Sequence, residues 1–305
     1  MHWLQEPTAA YDTLIVGPSY IMEGVYPPAF DAAAAQRGSP LKSYKLTAGA
    51  MSIVEADFLL RQLNEAAMSR LKLIVWEVSF RAWDRLPTNR FTRRSTYWSD
   101  WNSLALSARF TDWHEWNTQW GVLTLWHRLL HTLAWNFKIG AARDLVSRQF
   151  TPPRLQDVRT LEYSEKPSSR RSQHDEFGAA LTDVNDDWRK GEQSIEQCLA
   201  SLSRAERAEL VFLNRFAQKM AARNIKVMYI VSPTATPWLC RLSEAGQSQL
   251  PLIQYNHPLR FPELFRTEDR RNTNHLKLAG ARRFSQTLGE ASADLLLASR
   301  RVVAR

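Results

Sequence analysis

Cysteine is almost missing from this chain, with Cys198 and Cys240 the only two in 305 residues. They match no metal-ligand spacing and cannot build a disulfide framework, which excludes a zinc-ribbon or disulfide-stapled design and suits a reducing compartment. Long hydrophobic runs are missing too. No stretch reaches the roughly 18 uninterrupted apolar residues of a membrane span. The first residues, Met1 to Pro7, have neither a basic start nor an apolar core, so no signal peptide is expected. The expectation from these absences is a soluble, cytoplasmic chain. Internal repeats and long low-complexity tracts are also lacking. The charge balance leans one way, with 40 Lys and Arg against 31 Asp and Glu, a net charge of +9. Yet the arginines fall as scattered pairs (Arg93-Arg94, Arg170-Arg171, Arg270-Arg271, Arg282-Arg283), the pattern of a solvated surface. That scatter argues against a nucleic-acid tract and leaves an anionic membrane surface as an alternative partner.

What is present is the alternation of an α/β protein. Tyr11 to Gly17 is an apolar run ending in glycine, which predicts a buried parallel strand and a tight turn. Lys45 to Ala50 predicts a second strand, Val54 to Leu71 a helix with apolar residues at helical spacing, and Leu71 to Val78 a third strand. The alternation then pauses. Phe80 to Phe150 is rich in tryptophan and helical in pattern, and Thr151 to Lys190 is polar. It resumes with a helix from Ser203 to Arg223, opened by a capping-box pattern at Ser203 and Glu206 and stopped at Asn224. A strand follows over Ile225 to Val231, a short one over Leu252 to Tyr255, and a last helix over Leu278 to Ser299. The reading is one domain over residues 1–305. It is a three-layer α/β/α, flavodoxin-like parallel sheet with an insertion over about 81–200, comprising a helical cap at about 95–150 and a polar loop at about 151–190.

In an open parallel sheet, ligands bind beyond the carboxyl ends of the strands. Ser19 follows the first strand in Gly17-Pro18-Ser19-Tyr20. Gly49 follows the second and Ser79 the third. His275 precedes the last helix in Asn272-Thr273-Asn274-His275-Leu276, where a loop could bring it to the same edge.

These residues carry a resemblance. Gly17-Pro18-Ser19 after an N-terminal strand resembles the first block of the SGNH (GDSL-type) hydrolase superfamily. With Gly24 and Pro27 downstream it is similar to the branch that includes bacterial cell-surface polysaccharide O-acetyltransferase-like proteins. Asn274-His275-Leu276-Lys277, followed by Gly280-Ala281 and Phe284-Ser285, resembles the block that carries the catalytic histidine. The likeness covers roughly Tyr11 to Val78 and Ser203 to Leu288. It implies a serine-dependent acyl ester hydrolase or O-acetyltransferase acting on a carbohydrate, with Ser19 as nucleophile and His275 as base. The backbone N–H groups of Ser19 and Gly49 would form the oxyanion hole, with Ser79 as a further donor. It implies no metal or organic cofactor.

Three departures accompany it. The family's Asp three residues before the histidine is Asn272 here, with Asp269 as the nearby substitute. The asparagine expected after the third strand is replaced by the sequence Glu77-Val78-Ser79-Phe80. Pro18 constrains the turn before Ser19. Two readings stay open: a working Ser–His enzyme with an altered third member, or a catalytically degenerate binding or scaffolding protein of polysaccharide assembly. A third is peripheral membrane association through the segment from Thr118 to Lys138. Blander readings stand beside these. Ser19 could cap the following helix through its hydroxyl. His127 and His131, four apart on a predicted helix, have zinc-pair spacing but no third ligand, and His257 is an alternative site histidine. The tryptophans are expected to pack an inserted cap onto the domain.

Overall fold

The computed structural model describes residues 11–78, 99–110, 118–137, 204–234 and 250–303. Five strands, β1 (Thr13–Gly17), β2 (Ser43–Thr47), β3 (Leu73–Glu77), β4 (Lys226–Val231) and β5 (Leu252–Gln254), form one parallel sheet in the order β2-β1-β3-β4-β5. β1 and β3 are buried at every position, because helices cover both faces and neither strand is at an edge. The period-two alternation divides their side chains between two cores. Leu14, Val16, Tyr44, Leu46, Ile74 and Trp76 face one way, and Ile15, Leu73, Val75, Met228 and Ile230 the other.

Each face has its own helices. The first carries α3 (Ile53–Arg61), α4 (Glu65–Met68) and α7 (Arg204–Ala221), through Ala56, Leu60, Ala67, Leu213 and Met220. The Tyr229 hydroxyl donates to the Leu213 carbonyl at 2.8 Å, and Trp76 meets Phe216 edge-on at 5.0 Å, so α7 is fastened to β3 and β4. The second face carries α1 (Ser19–Gly24), α2 (Pro27–Gln36) and α8 (Leu278–Val303), through Ile21, Phe30, Ala34, Phe284 and Leu288. α8 lies so close to α2 that a Cβ at Gly289 would stand 2.4 Å from the Phe30 carbonyl oxygen.

The elements depart from the sequence reading in instructive ways. The expected helix over Val54 to Leu71 is two helices, because the Asn64 side chain accepts the Ala67 N–H at 2.7 Å and starts a new turn. The second strand begins at Ser43 and ends at Thr47, leaving Gly49 in a turn where Ala50 has φ +49°. Asn224 does stop α7, in the left-handed region at φ +59°, with the Ile225 N–H returning to the Met220 carbonyl at 3.0 Å. Within the expected insertion, α5 (Trp101–Phe110) and α6 (Thr118–Asn136) are described. The polar loop at 151–190, Ser79 and both cysteines lie outside the described residues.

α5 docks through phenylalanine and charge rather than through indole. Phe110 is buried against Val54, Phe58 and Phe212, whereas Trp101 and Trp126 stay 52% and 55% exposed. Asp100 caps α5 by accepting the Ser103 N–H at 2.7 Å, and Arg61 of α3 grips the same carboxylate at 2.6 and 3.2 Å while holding Asp57 at 2.8 Å. Among the described residues no helix is long and apolar enough to cross a membrane.

Candidate active site

The chain runs out from β1 to β2 on one side, then returns to β3 on the other, so the strand order reverses between β1 and β3. A crevice opens at the carboxyl ends of strands at such a reversal. Ser19 stands there, two residues beyond Gly17. The turn requires glycine at 17: a Cβ would lie 2.6 Å from Ile21 Cγ1 and 2.7 Å from Glu77 Cβ. Pro18 fits the next position with φ −76°, and its carbonyl accepts the Ile21 and Met22 N–H groups at 3.1 and 3.0 Å. The helix therefore starts on a residue that needs no N–H, and Ser19 makes no side-chain cap. Its hydroxyl is turned elsewhere.

That hydroxyl lies 3.1 Å from His275 Nε2, across 256 positions of sequence. His275 sits in a loop closed on itself. The Arg271 N–H donates to the His275 carbonyl at 2.9 Å, and the Lys277 N–H donates to the Asp269 carbonyl at 2.8 Å. Arg270 is buried beneath it, donating to the Leu264 carbonyl at 3.0 Å with its guanidinium 4.8 Å from the centre of the Phe265 ring. Asp269 does not reach His275 Nδ1. Its carboxylate is held by Arg283 at 3.0 and 3.1 Å.

Asn272 occupies the far side of the imidazole. Its Oδ1 accepts the N–H groups of Asn274 and His275, each at 2.9 Å, and lies 3.0 Å from His275 Nδ1. Two backbone donors fix which end of the amide faces inward, since a flipped amide would set its NH₂ against two N–H groups. With an oxygen at that point, Nδ1 must carry the proton. Nε2 is then a lone pair aimed at Ser19. A neutral asparagine thus selects the tautomer a general base requires.

The electrostatics agree with that state. Burial lowers the His275 pKa below its ordinary value; Glu23 pulls it up and Arg271 pushes it down. Glu23 and Arg271 pair at 3.1 Å, joining α1 to the histidine loop. The Tyr20 ring packs 5.6 Å from the imidazole. Burial raises the Tyr20 phenol pKa, and Glu77 raises it further.

Sequence reasoning passed over Glu77. It closes β3, is buried, and receives the Ser232 hydroxyl at 2.6 Å and the Ser232 N–H at 3.0 Å. Burial pushes its carboxyl up to about 8 despite both bonds. An acid inside the apolar run Leu73-Ile74-Val75-Trp76 was the available signal. Gly49 lies on the same edge as Ser19, since Gly17 pairs with Thr47 and each of the two residues follows its strand by two positions. It is exposed, and an added Cβ would meet open space. His257 lies in the turn after β5, its Nδ1 accepting the Arg260 N–H at 3.3 Å. The side chain of His127 is outside the described residues, among which no cluster of metal-ligating groups occurs. A cleft of about 350 Å³ between α3, α4 and α7 is lined by Ile74, Phe216 and Lys219 and does not include Ser19 or His275. Compared with known protein families, curated proteins and solved structures, the chain finds no match.

Proposed function

We propose that this protein is a serine-dependent acyl ester hydrolase or O-acyl transferase of SGNH type, with an acetyl ester of a carbohydrate as the substrate class. The observation that supports it most is the ordered line from Asn272 Oδ1 through His275 to the Ser19 hydroxyl. The strand order 2-1-3-4-5, which is the flavodoxin-like one, and the position of Ser19 beside the strand reversal support it as well.

The chemistry follows from the tautomer. Ser19 Oγ attacks the acyl carbonyl while His275 Nε2 takes the hydroxyl proton. The tetrahedral oxyanion forms beside the Ser19 and Gly49 amides. His275 returns the proton to the departing alkoxide, leaving an acyl-Ser19 ester. Water or an acceptor hydroxyl then gives its proton to Nε2, attacks the ester carbonyl, and frees Ser19. Asn272 orients the ring through both halves without adding charge.

One observation favours a second reading, in which the fold binds polysaccharide without turning it over. Among the described residues, His275 Nδ1 meets Asn272 rather than a carboxylate, and Asp269 is held by Arg283. The two readings separate on p-nitrophenyl acetate turnover by the parent, Ser19→Ala and His275→Ala proteins. The enzyme reading expects activity in the parent that is lost in both variants, with circular dichroism unchanged. No turnover in the parent, or equal turnover in all three, favours the binding protein.

A further inference from the structure

A lysine is buried in the sheet. Lys45 lies in the middle of β2, 2% exposed, in register with Ile15 of β1. Its ammonium donates to the Met22 carbonyl at 2.7 Å and the Val25 carbonyl at 2.9 Å. Both acceptors belong to the carboxyl end of α1, the six-residue helix whose first residue is Ser19. Desolvation is severe enough to bring the Lys45 pKa down to about 8. An apolar residue would fill such a strand position without that cost.

α1 cannot hold itself. Helices shorter than about 12 residues are marginal alone, and this six-residue one closes with the Val25 N–H on the Ile21 carbonyl. It is also held by apolar contacts of Ile21 with the core, by Tyr20 and Ser19 against His275, by the exposed Glu23–Arg271 pair and, just beyond it, by the Tyr26 N–H on Ser285 Oγ at 2.7 Å. Lys45 adds a buried, charged fastening, and it sits where carbonyl dipoles favour a cation.

We propose that Lys45 is a positioning residue for Ser19: by clamping the carboxyl end of α1 onto β2, it sets the helix so that its first residue presents Oγ to His275 Nε2. What that pair does chemically rests on the function proposed above, but the positioning itself does not. β2 also leads into the turn that carries Gly49, so the clamp sets the spacing between nucleophile and oxyanion turn as well.

The test uses the full chain with ¹⁵N-labelled histidine. Ser19→Ala supplies the Nε2 resonance of a His275 that has lost its serine partner, and His275→Ala assigns it. The clamp predicts that Lys45→Met moves the resonance most of the way to the Ser19→Ala position. It also predicts that kcat on p-nitrophenyl acetate falls at least tenfold while KM changes less than twofold. Lys45→Gln, which keeps a neutral donor, should fall between. A folded Lys45→Met protein with the parent resonance and the parent kcat overturns the proposal, and so does failure of both variants to fold, which would make Lys45 a folding residue. A parent protein with no esterase activity would sink the enzyme reading alone, because the resonance still decides the clamp.

Discussion

Replacing Glu77 by glutamine should make the protein more stable at neutral and alkaline pH, by an amount the structure allows us to work out. The carboxyl is buried at the end of β3 against Ser232, and its pKa is raised from 4.5 to about 8. The unfolded chain therefore ionises near 4.5, while the folded protein holds its proton until about 8. Between those values the folded state binds more protons, so stability falls as pH rises, at up to about 1.4 kcal/mol per pH unit. By pH 7 the accumulated loss is on the order of 3 kcal/mol. Glutamine has the same shape, can accept the Ser232 N–H and donate to the Ser232 hydroxyl, and has no charge to bury. Urea unfolding of the parent and Glu77→Gln proteins at intervals from pH 4.5 to 9 measures the difference directly. The gap between them should open steadily across that range and level off above pH 8. A constant gap, or a variant less stable than the parent at pH 8, would refute the reasoning and place a charged Glu77 among the stabilising groups.

Two further substitutions test the site and its support. Asn272→Asp sets a carboxylate beside His275 Nδ1, 3.0 Å from the present oxygen. It should raise the His275 pKa, move the acidic limb of the kcat/KM profile to higher pH, and raise turnover on the plateau; an unmoved limb would mean that Asn272 does not face the working imidazole. Arg61→Ala removes the grip on Asp57 and Asp100, with the arginine side chain only 25% exposed, and leaves two carboxylates close together. It should cost about 1–3 kcal/mol in urea unfolding, and amide exchange in α5 should quicken while that in β1 and β3 does not.

The residues that were legible in the sequence are those whose surroundings are uniform. β1, β3 and β4 read as strands because helices bury both of their faces, which leaves continuous apolar runs. Asn224 read as a helix stop because few residues take φ +59° at low cost. Ser19 and His275 were singled out by their places after the first strand and before the last helix and by a resemblance to SGNH motifs, but nothing in local pattern shows that residues 256 positions apart meet. Asn272 was legible as a departure, but not its effect. That depends on two backbone N–H groups turning the amide, a detail of loop closure. Glu77 and Lys45 were hidden for the opposite reason. Glu77 ends a strand that reads as apolar, whereas Lys45 stands among Ser43, Tyr44 and Thr47, where a lysine reads as solvent-facing, and each is held by partners from distant segments, Ser232 for one and the end of α1 for the other. The break at Asn64 escaped because helical spacing continues through it, and only the side-chain bond to Ala67 shows the restart.

The central claim is that the Ser19 hydroxyl is activated by a neutral His275 held in the right tautomer. A fluorophosphonate reagent tests it most directly, because it captures an activated serine whatever the natural acyl group or acceptor. Peptide mass spectrometry of the treated protein should place one adduct on Ser19, with labelling at least a hundredfold slower in His275→Ala. Absence of the adduct on Ser19, or labelling that is indifferent to His275, would contradict the account.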